Sequence, residues 1–87
     1  MIVNEPESAL SFSSCLALVG VLHSLVRSGT SQVLVATHSP IVAALPDARI
    51  LQLDGDGFHE EAWGGLDLVH HHRAFLEDPA RYLRHVL

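Results

Sequence analysis

The first half of the chain carries a short apolar run, a helical repeat and a longer apolar run. The run at positions 1–4 is stopped by Pro6, and because the residue before a proline favours extended backbone, Glu5 is expected at the carboxyl end of a strand. Over positions 11–28 apolar residues recur at helical spacing, with a serine as N-cap and Gly29 as the C-terminal stop, which predicts a well-buried helix.

Positions 32–37 form a nearly continuous β-branched and apolar run, which is the pattern of a central parallel strand covered on both faces. Ser39 and Pro40 follow as an N-cap and a first helical residue, so a short helix ending near Pro46 is predicted. His38 is therefore expected at the junction between the strand and that helix.

The second half of the chain predicts a β-hairpin followed by two helices. Strand patterns over 48–53 and 58–62 flank the turn sequence Asp-Gly-Asp-Gly at 54–57. Helical patterns over 66–76 and 79–87 are separated by an Asp-Pro pair. The whole order predicts an α/β fold whose first two strands are parallel, because a helical crossover joins them.

The carboxyl ends of parallel strands share one rim of a sheet, so this topology brings Asn4, Glu5 and His38 together where open α/β sheets bind ligands. A carboxylate there can take a proton from an attacking water, and a histidine can contact a transferring phosphoryl group. The alternative is a solvated Glu5 in a turn and a His38 that caps the following helix.

Composition narrows the function classes. The 87 residues allow one domain, and with 48% hydrophobic residues and a mean hydropathy of +0.28 the chain is more apolar than so small a domain hides, which favours a partner. A net charge of −5 with scattered arginines argues against direct nucleic-acid binding. The lone Cys15 excludes an internal disulfide, and no membrane span or export signal is visible, so a cytoplasmic protein is expected.

Two further observations concern phosphate and metal binding. The chain contains no lysine, so it cannot hold a complete phosphate-binding loop, G-x-x-x-x-G-K-[ST]. The three consecutive histidines at 70–72 diverge by about 100° per residue on a helix, which favours a solvated helix face over one shared metal ion.

The segment 2–11, Ile-Val-Asn-Glu-Pro-Glu-Ser-Ala-Leu-Ser, resembles the Walker B and D-loop segment, h-h-D-E-P-E-x-x-L-[SD], of ABC-type ATPases. It is most similar to the predicted AAA-like ATPases of the RecF/SMC branch. The segment 33–40, which ends in Thr-His-Ser-Pro, resembles their switch-histidine segment, and 48–54 resembles the strand that follows it. The tail at 75–87 is similar to the usual ending of this group, so the resemblance covers nearly the whole chain.

The resemblance implies a partial P-loop NTPase lobe of ABC type, with ATP and Mg²⁺ as the cofactors of the complete protein. In that reading Glu5 would be the general base that polarises the attacking water, and His38 would be the switch histidine that contacts the γ-phosphate. The D-loop would lie across an ATP-sandwiched interface, which implies a homodimer of the parent protein. Its residues here would be Ser8, Ala9, a structural Leu10 and Ser11.

The chain departs from the family at three points. Asn4 stands where the family has an aspartate that helps to hold Mg²⁺, and since a hard cation prefers anionic oxygens, only weak, indirect Mg²⁺ binding is expected of it. The P-loop, Q-loop and signature motif are missing, so nothing cradles the phosphates. Only three residues precede Asn4, which indicates a truncated gene, a split reading frame or a fragment.

Two functions follow from these observations. In the first, residues 1–87 are the C-terminal part of an ATPase domain and supply the general base, D-loop and switch histidine to a site that a missing N-terminal half or a partner chain completes. In the second, the chain is a non-catalytic remnant or a dimerisation module without ATP turnover. In both, the isolated chain is expected not to hydrolyse ATP. What hydrolysis drives in this branch, such as DNA repair or phage defence, belongs to partner domains outside the chain.

Overall fold

The computed structural model of the protein describes residues 1–29 and 32–87. These residues form two compact units, Met1–Ala48 and Arg49–Leu87. Each unit contains its own strands, helices and buried side chains, so each is described by itself.

The first unit has the predicted order of strand, helix and strand. Strand β1 (Ile2–Asn4) precedes helix α1 (Phe12–Arg27), and strand β2 (Leu34–Ala36) follows it. The two strands pair in parallel, with Val3 opposite Val35. The parallel arrangement expected from a helical crossover is therefore confirmed.

Both ends of α1 have a local chemical cause. The Ser11 side chain is the N-cap, because its Oγ accepts a hydrogen bond from the backbone N–H of Ser14 at 3.2 Å. After the helix, Gly29 adopts a left-handed backbone with φ of +72°, a conformation that glycine reaches without a steric penalty. The sequence pattern predicted these two boundaries correctly.

The sequence pattern predicted too much side-chain burial in the first unit. A well-buried helix and a strand covered on both faces were expected, but the buried side chains are Cys15, Leu22 and Val42 alone among the described residues of this unit. Phe12 on α1 is 69% exposed and Leu34 on β2 is 61% exposed. The reason is that β2 is three residues long and β1 is its one hydrogen-bonded neighbour among the described strands.

The second unit is a hairpin followed by two helices, as predicted. Strands β3 (Leu51–Asp54) and β4 (Gly57–Glu60) pair antiparallel. In the turn between them, an Asp54 side-chain oxygen accepts a hydrogen bond from the Asp56 N–H at 2.9 Å, and Gly57 has a φ of +100°. The Asp-Gly-Asp-Gly sequence thus forms the turn through its own side chain and a glycine-specific backbone.

A single 3₁₀ turn (Trp63–Gly65) leads from the hairpin into helix α2 (Asp67–Glu77), and helix α3 (Pro79–Leu83) follows. Leu66 and Val69 are the buried apolar side chains of this unit. The predicted α/β class is confirmed as a mixed fold of small sheets and helices. In the two described stretches, no helix has the length and apolar character needed to cross a membrane.

Candidate functional site

The carboxyl ends of β1 and β2 lie side by side because the parallel ladder continues past the last paired residues. The Glu5 N–H donates a hydrogen bond to the Ala36 carbonyl at 2.7 Å, one step beyond the pairing of Asn4 with Ala36. We call the residues at these two strand ends, 4–11 and 36–39, the rim. Glu5 and His38 face each other across it, with 3.6 Å between Glu5 Oε1 and His38 Nε2.

This pair is open to solvent: the His38 side chain is 86% exposed and the Glu5 side chain is 51% exposed. A contact between an acid and a histidine this exposed adds little to stability even when both groups are charged, since water screens charges at the surface. The pair is therefore better placed to meet a ligand than to hold the fold together.

The backbone at Glu5 contradicts the extended geometry expected before a proline. Glu5 has a φ of +48°, in the left-handed region that side-chain-bearing residues rarely adopt. Ala9 shares this feature with a φ of +66°. Each such residue costs about 1–3 kcal/mol, and such residues concentrate at binding and catalytic sites.

Two consecutive turns explain why the chain accepts these conformations. The Ser8 N–H donates to the Glu5 carbonyl at 3.1 Å, and the Leu10 N–H donates to the Glu7 carbonyl at 2.9 Å. The turns reverse the chain between the end of β1 and the Ser11 cap of α1. The strain at Glu5 and Ala9 is thus the local cost of a compact connection.

Glu7 makes the polar contacts that tie the two sides of the rim together, and sequence reasoning did not single it out. Its Oε1 accepts a hydrogen bond from the Thr37 hydroxyl at 2.7 Å, and its Oε2 accepts one from the His38 N–H at 3.2 Å. The same Thr37 hydroxyl oxygen accepts a hydrogen bond from the Ser39 N–H at 3.0 Å. A second acidic residue so close to Glu5, together with a threonine directly before His38, was the signal available in the sequence.

The environment of Glu7 affects its ionisation. Partial burial by itself would raise the pKa of Glu7, but hydrogen bonds from the Thr37 hydroxyl and from the N–H groups of Glu7 and His38 outweigh it. The nearby His38 side chain acts in the same direction as these bonds. The pKa of Glu7 is therefore held below its usual range, and its carboxylate stays ionised.

Ser39, the last residue of the rim, connects it by hydrogen bonds to the turn that follows. Its hydroxyl accepts hydrogen bonds from the N–H groups of Ile41 at 3.2 Å and Val42 at 3.3 Å, which are the contacts expected of the predicted N-cap, although the regular turn begins only after Ile41. The predicted short helix is reduced to one 3₁₀ turn, Val42–Ala44. The alternative in which His38 provides that cap does not match the contacts seen, but its other part does, because Glu5 is exposed to solvent and its carbonyl closes a turn.

The remaining predicted site residues also lie on the rim. Most are exposed to solvent, and one is hydrogen-bonded within a helix cap. Asn4 ends β1 opposite Ala36, and it is exposed, as are the side chains of Ser8, Ala9 and Leu10. Leu10 is 42% exposed. The Ser11 hydroxyl is occupied in the helix cap, where it also donates to the Ser14 hydroxyl at 3.0 Å.

No metal cluster lies at the rim, and a surface depression lies elsewhere among the described residues. Among residues 1–29 and 32–87, no group of three or more histidine, cysteine or acidic side chains is arranged to hold a metal ion. In the histidine triplet, His71 Nδ1 lies 3.0 Å from the Tyr82 hydroxyl and His72 Nδ1 lies 2.8 Å from the Leu68 carbonyl. An open depression of about 460 Å³ lies at the amino ends of β1 and β2, away from the rim; its lining residues are Met1, Ile2, Gln32, Val33 and Leu34.

Comparison with protein-family models, with curated proteins and with solved structures found no match to this chain. The resemblance to ABC-type ATPases therefore stays an expectation that depends on the sequence motifs at 2–11 and 33–40.

Proposed function

We propose that this chain supplies the hydrolysis side of an ATP site, as the C-terminal part, residues 1–87, of an ABC-type ATPase domain. The observation that carries the proposal is the Glu5–His38 pair, 3.6 Å apart and open to solvent at the carboxyl ends of two parallel strands. Open α/β sheets bind their ligands at this kind of edge. In this reading the fold is a partial P-loop NTPase lobe.

The proposed reaction is attack of water on the γ-phosphorus of ATP. Glu5 accepts a proton from the water as its oxygen bonds to phosphorus, and the bond from phosphorus to the bridging oxygen of ADP breaks. His38 contacts the phosphoryl group that is being transferred. The separation of roles is supported by Glu7, which takes the hydrogen bonds from Thr37 and His38 and leaves the exposed Glu5 carboxylate for the water.

The residues present do not fit a self-contained Mg²⁺ site. Asn4 offers a neutral oxygen and Glu5 an anionic one, whereas Mg²⁺ requires octahedral coordination. Both oxygens of Glu7 already accept hydrogen bonds within the rim. Metal and phosphates would therefore be held mainly by a completing half with the lysine that this chain lacks, and a homodimer of the completed domain is part of the proposal.

The test is complementation. The chain is mixed with, or fused behind, a segment that carries G-x-x-x-x-G-K-[ST] and its following helix, here called the P-loop half, and Mg-ATP turnover is measured. We expect turnover with the wild-type chain and none above background with Glu5→Gln. Glu77→Gln is the matched control, since Glu77 lies in α2 of the other unit. Unchanged turnover with Glu5→Gln would overturn the assignment of Glu5 as the base.

A second function, an interaction module without ATP turnover, is favoured by one specific observation. Ile2 is 80% exposed and lies directly opposite Leu34, which is 61% exposed, so the β1–β2 pair presents an uncovered apolar patch. Isothermal calorimetry separates the two functions. Failure to bind Mg-ATP even with the P-loop half present, combined with dimer formation in sedimentation experiments, would favour the interaction module.

A further inference from the structure

We infer that Glu7 is the positioning residue of the rim, holding the segment 37–39 so that His38 faces Glu5. The inference concerns a residue to which the proposed reaction gives no role, and its relevance to catalysis rests on that proposed function. The geometry itself does not depend on ATP.

Glu7 joins two parts of the chain that are far apart in sequence. Its two oxygens accept from donors at Thr37 and His38, which are 30 and 31 residues away. One donor is a side-chain hydroxyl and the other is a backbone N–H, so the carboxylate fixes both the side chain of one residue and the main chain of the next. Hydrogen bonds to an ionised acceptor are among the stronger ones in proteins.

The contacts of Glu7 begin where the hydrogen-bonded pairing of β1 and β2 ends. The last backbone bond between the two strands runs from Glu5 to the Ala36 carbonyl. Beyond Ala36 the Glu7 carboxylate accepts hydrogen bonds from Thr37 and His38. The Thr37 hydroxyl oxygen in turn accepts one from the Ser39 N–H at 3.0 Å. The direction in which His38 leaves the strand is therefore set by Glu7 and not by the sheet.

The carboxylates of Glu5 and Glu7 differ in exposure and in the part of His38 that they contact. Glu5 is exposed and has its carboxylate 3.6 Å from the His38 ring, whereas Glu7 is half-buried and holds the His38 backbone. The hydrogen bonds of Glu7 go to the Thr37 hydroxyl and to the His38 backbone, and not to the His38 ring that is assigned to the reaction. Glu7 is accordingly a positioning residue that acts through His38.

The experiment is a pH titration of the isotope-labelled full chain by NMR. In the wild type, the chemical shift of the His38 amide proton should move as Glu7 becomes protonated and this hydrogen bond is lost. The pH midpoint of that change should equal the midpoint for the chemical shift of the Glu7 side-chain carboxyl carbon. In Glu7→Gln this step should disappear, and the His38 and Ser39 amides should move while the amides of α1 and of the hairpin stay in place. An unmoved His38 amide in Glu7→Gln would overturn the inference.

Thr37→Val serves as the second variant, since it removes the hydroxyl with almost no change in shape and keeps Glu7. It should displace the His38 and Ser39 amides in the same direction as Glu7→Gln, so a poorly folded Glu7 variant does not block the test. Glu77→Gln is the control and should leave the His38 titration unchanged. Thr37→Val without effect on either amide would also contradict the inference.

Turnover with the P-loop half distinguishes this inference from the proposed function. We expect Glu7→Gln to lower kcat by about tenfold with little change in KM, because His38 is displaced while the nucleotide contacts remain. If the NMR step disappears in Glu7→Gln but the wild type shows no turnover, the ATPase proposal is wrong and the positioning role of Glu7 stands. Turnover that depends on Glu5 but is the same in Glu7→Gln as in the wild type would support the ATPase proposal and overturn the positioning role of Glu7 in the reaction.

Discussion

Each unit of the molecule contains an acid and a histidine side by side, but the two pairs are built differently. In the hairpin, Asp54 Oδ2 lies 3.3 Å from His59 Nδ1, five positions away, and the other oxygen of Asp54 holds the turn. At the rim, Glu5 and His38 lie 3.6 Å apart and come from separate parallel strands.

The surroundings of the two pairs indicate what each can do. The hairpin pair is less exposed, at 43% for His59 and 35% for Asp54, and its acid is occupied by the local turn. The rim pair is more exposed, and a second carboxylate, Glu7, takes over the structural hydrogen bonds. The two pairs thus differ in which acid has the structural contacts: the Asp54 carboxylate holds the hairpin turn, whereas at the rim the Glu7 carboxylate holds Thr37 and the His38 backbone.

The largest expected effect separates the two acids by turnover. In the complemented protein, Glu5→Gln should lower the turnover of Mg-ATP by about 10²–10⁴-fold, the usual contribution of a general base. Asp54→Asn should leave turnover within about twofold, since its carboxylate serves the hairpin turn. Equal losses in the two variants would mean that the comparison between the pairs is wrong.

The next effect concerns the metal. Asn4→Asp adds an anionic oxygen at the end of β1, and we expect it to lower the Mg²⁺ concentration needed for half-maximal turnover by about tenfold. Asn4→Ser, which adds no charge, should not do so. If Asn4→Asp left the Mg²⁺ requirement the same as that of the wild type, the rim would not face the ion.

A smaller effect, on the free energy of unfolding, should depend on pH. Because the pKa of Glu7 is lowered by folding, its ionised form stabilises the folded state above the unfolded-state pKa, and this stabilisation is lost as the pH falls through the folded-state pKa. Urea unfolding of the wild type and Glu7→Gln should therefore show a stability difference at neutral pH that shrinks in acid. A stability difference that does not depend on pH would contradict the stabilising role of the ionised Glu7 carboxylate.

The smallest effect is expected at the hairpin pair. His59→Asn should change the free energy of unfolding by less than about 1 kcal/mol, as is usual for a contact between an acid and a base that solvent reaches. Urea unfolding at neutral pH measures it. A much larger loss would show that the hairpin pair is a principal support of its unit.

Local sequence was sufficient to predict the order of the strands and of the longer helices, but the short helix predicted after Ser39 is one 3₁₀ turn and the last helix ends at Leu83 instead of residue 87. Ser11 and Gly29 mark the ends of α1 because capping and left-handed backbone depend on the residue itself. The parallel pairing of β1 and β2 follows from the helical crossover, and it was enough to bring Glu5 and His38 to one rim.

Long-range contacts and burial could not be predicted in the same way. The bond between Glu7 and Thr37 spans 30 residues, and no periodic pattern encodes it. The φ of +48° at Glu5 reflects the two turns that follow, which override the local preference before Pro6. The apolar run around Leu34 predicts a covered strand, but whether a strand is covered depends on neighbours that its own sequence does not contain.

The central claim, that the rim and not the hairpin meets the nucleotide, is tested most directly by chemical-shift mapping. The labelled chain is complexed with the unlabelled P-loop half and titrated with Mg-ATP. The amides of Glu5, Glu7 and His38 should shift together and saturate, while those of Asp54 and His59 stay in place. Saturable shifts confined to the hairpin, or none anywhere in the complex, would contradict the account.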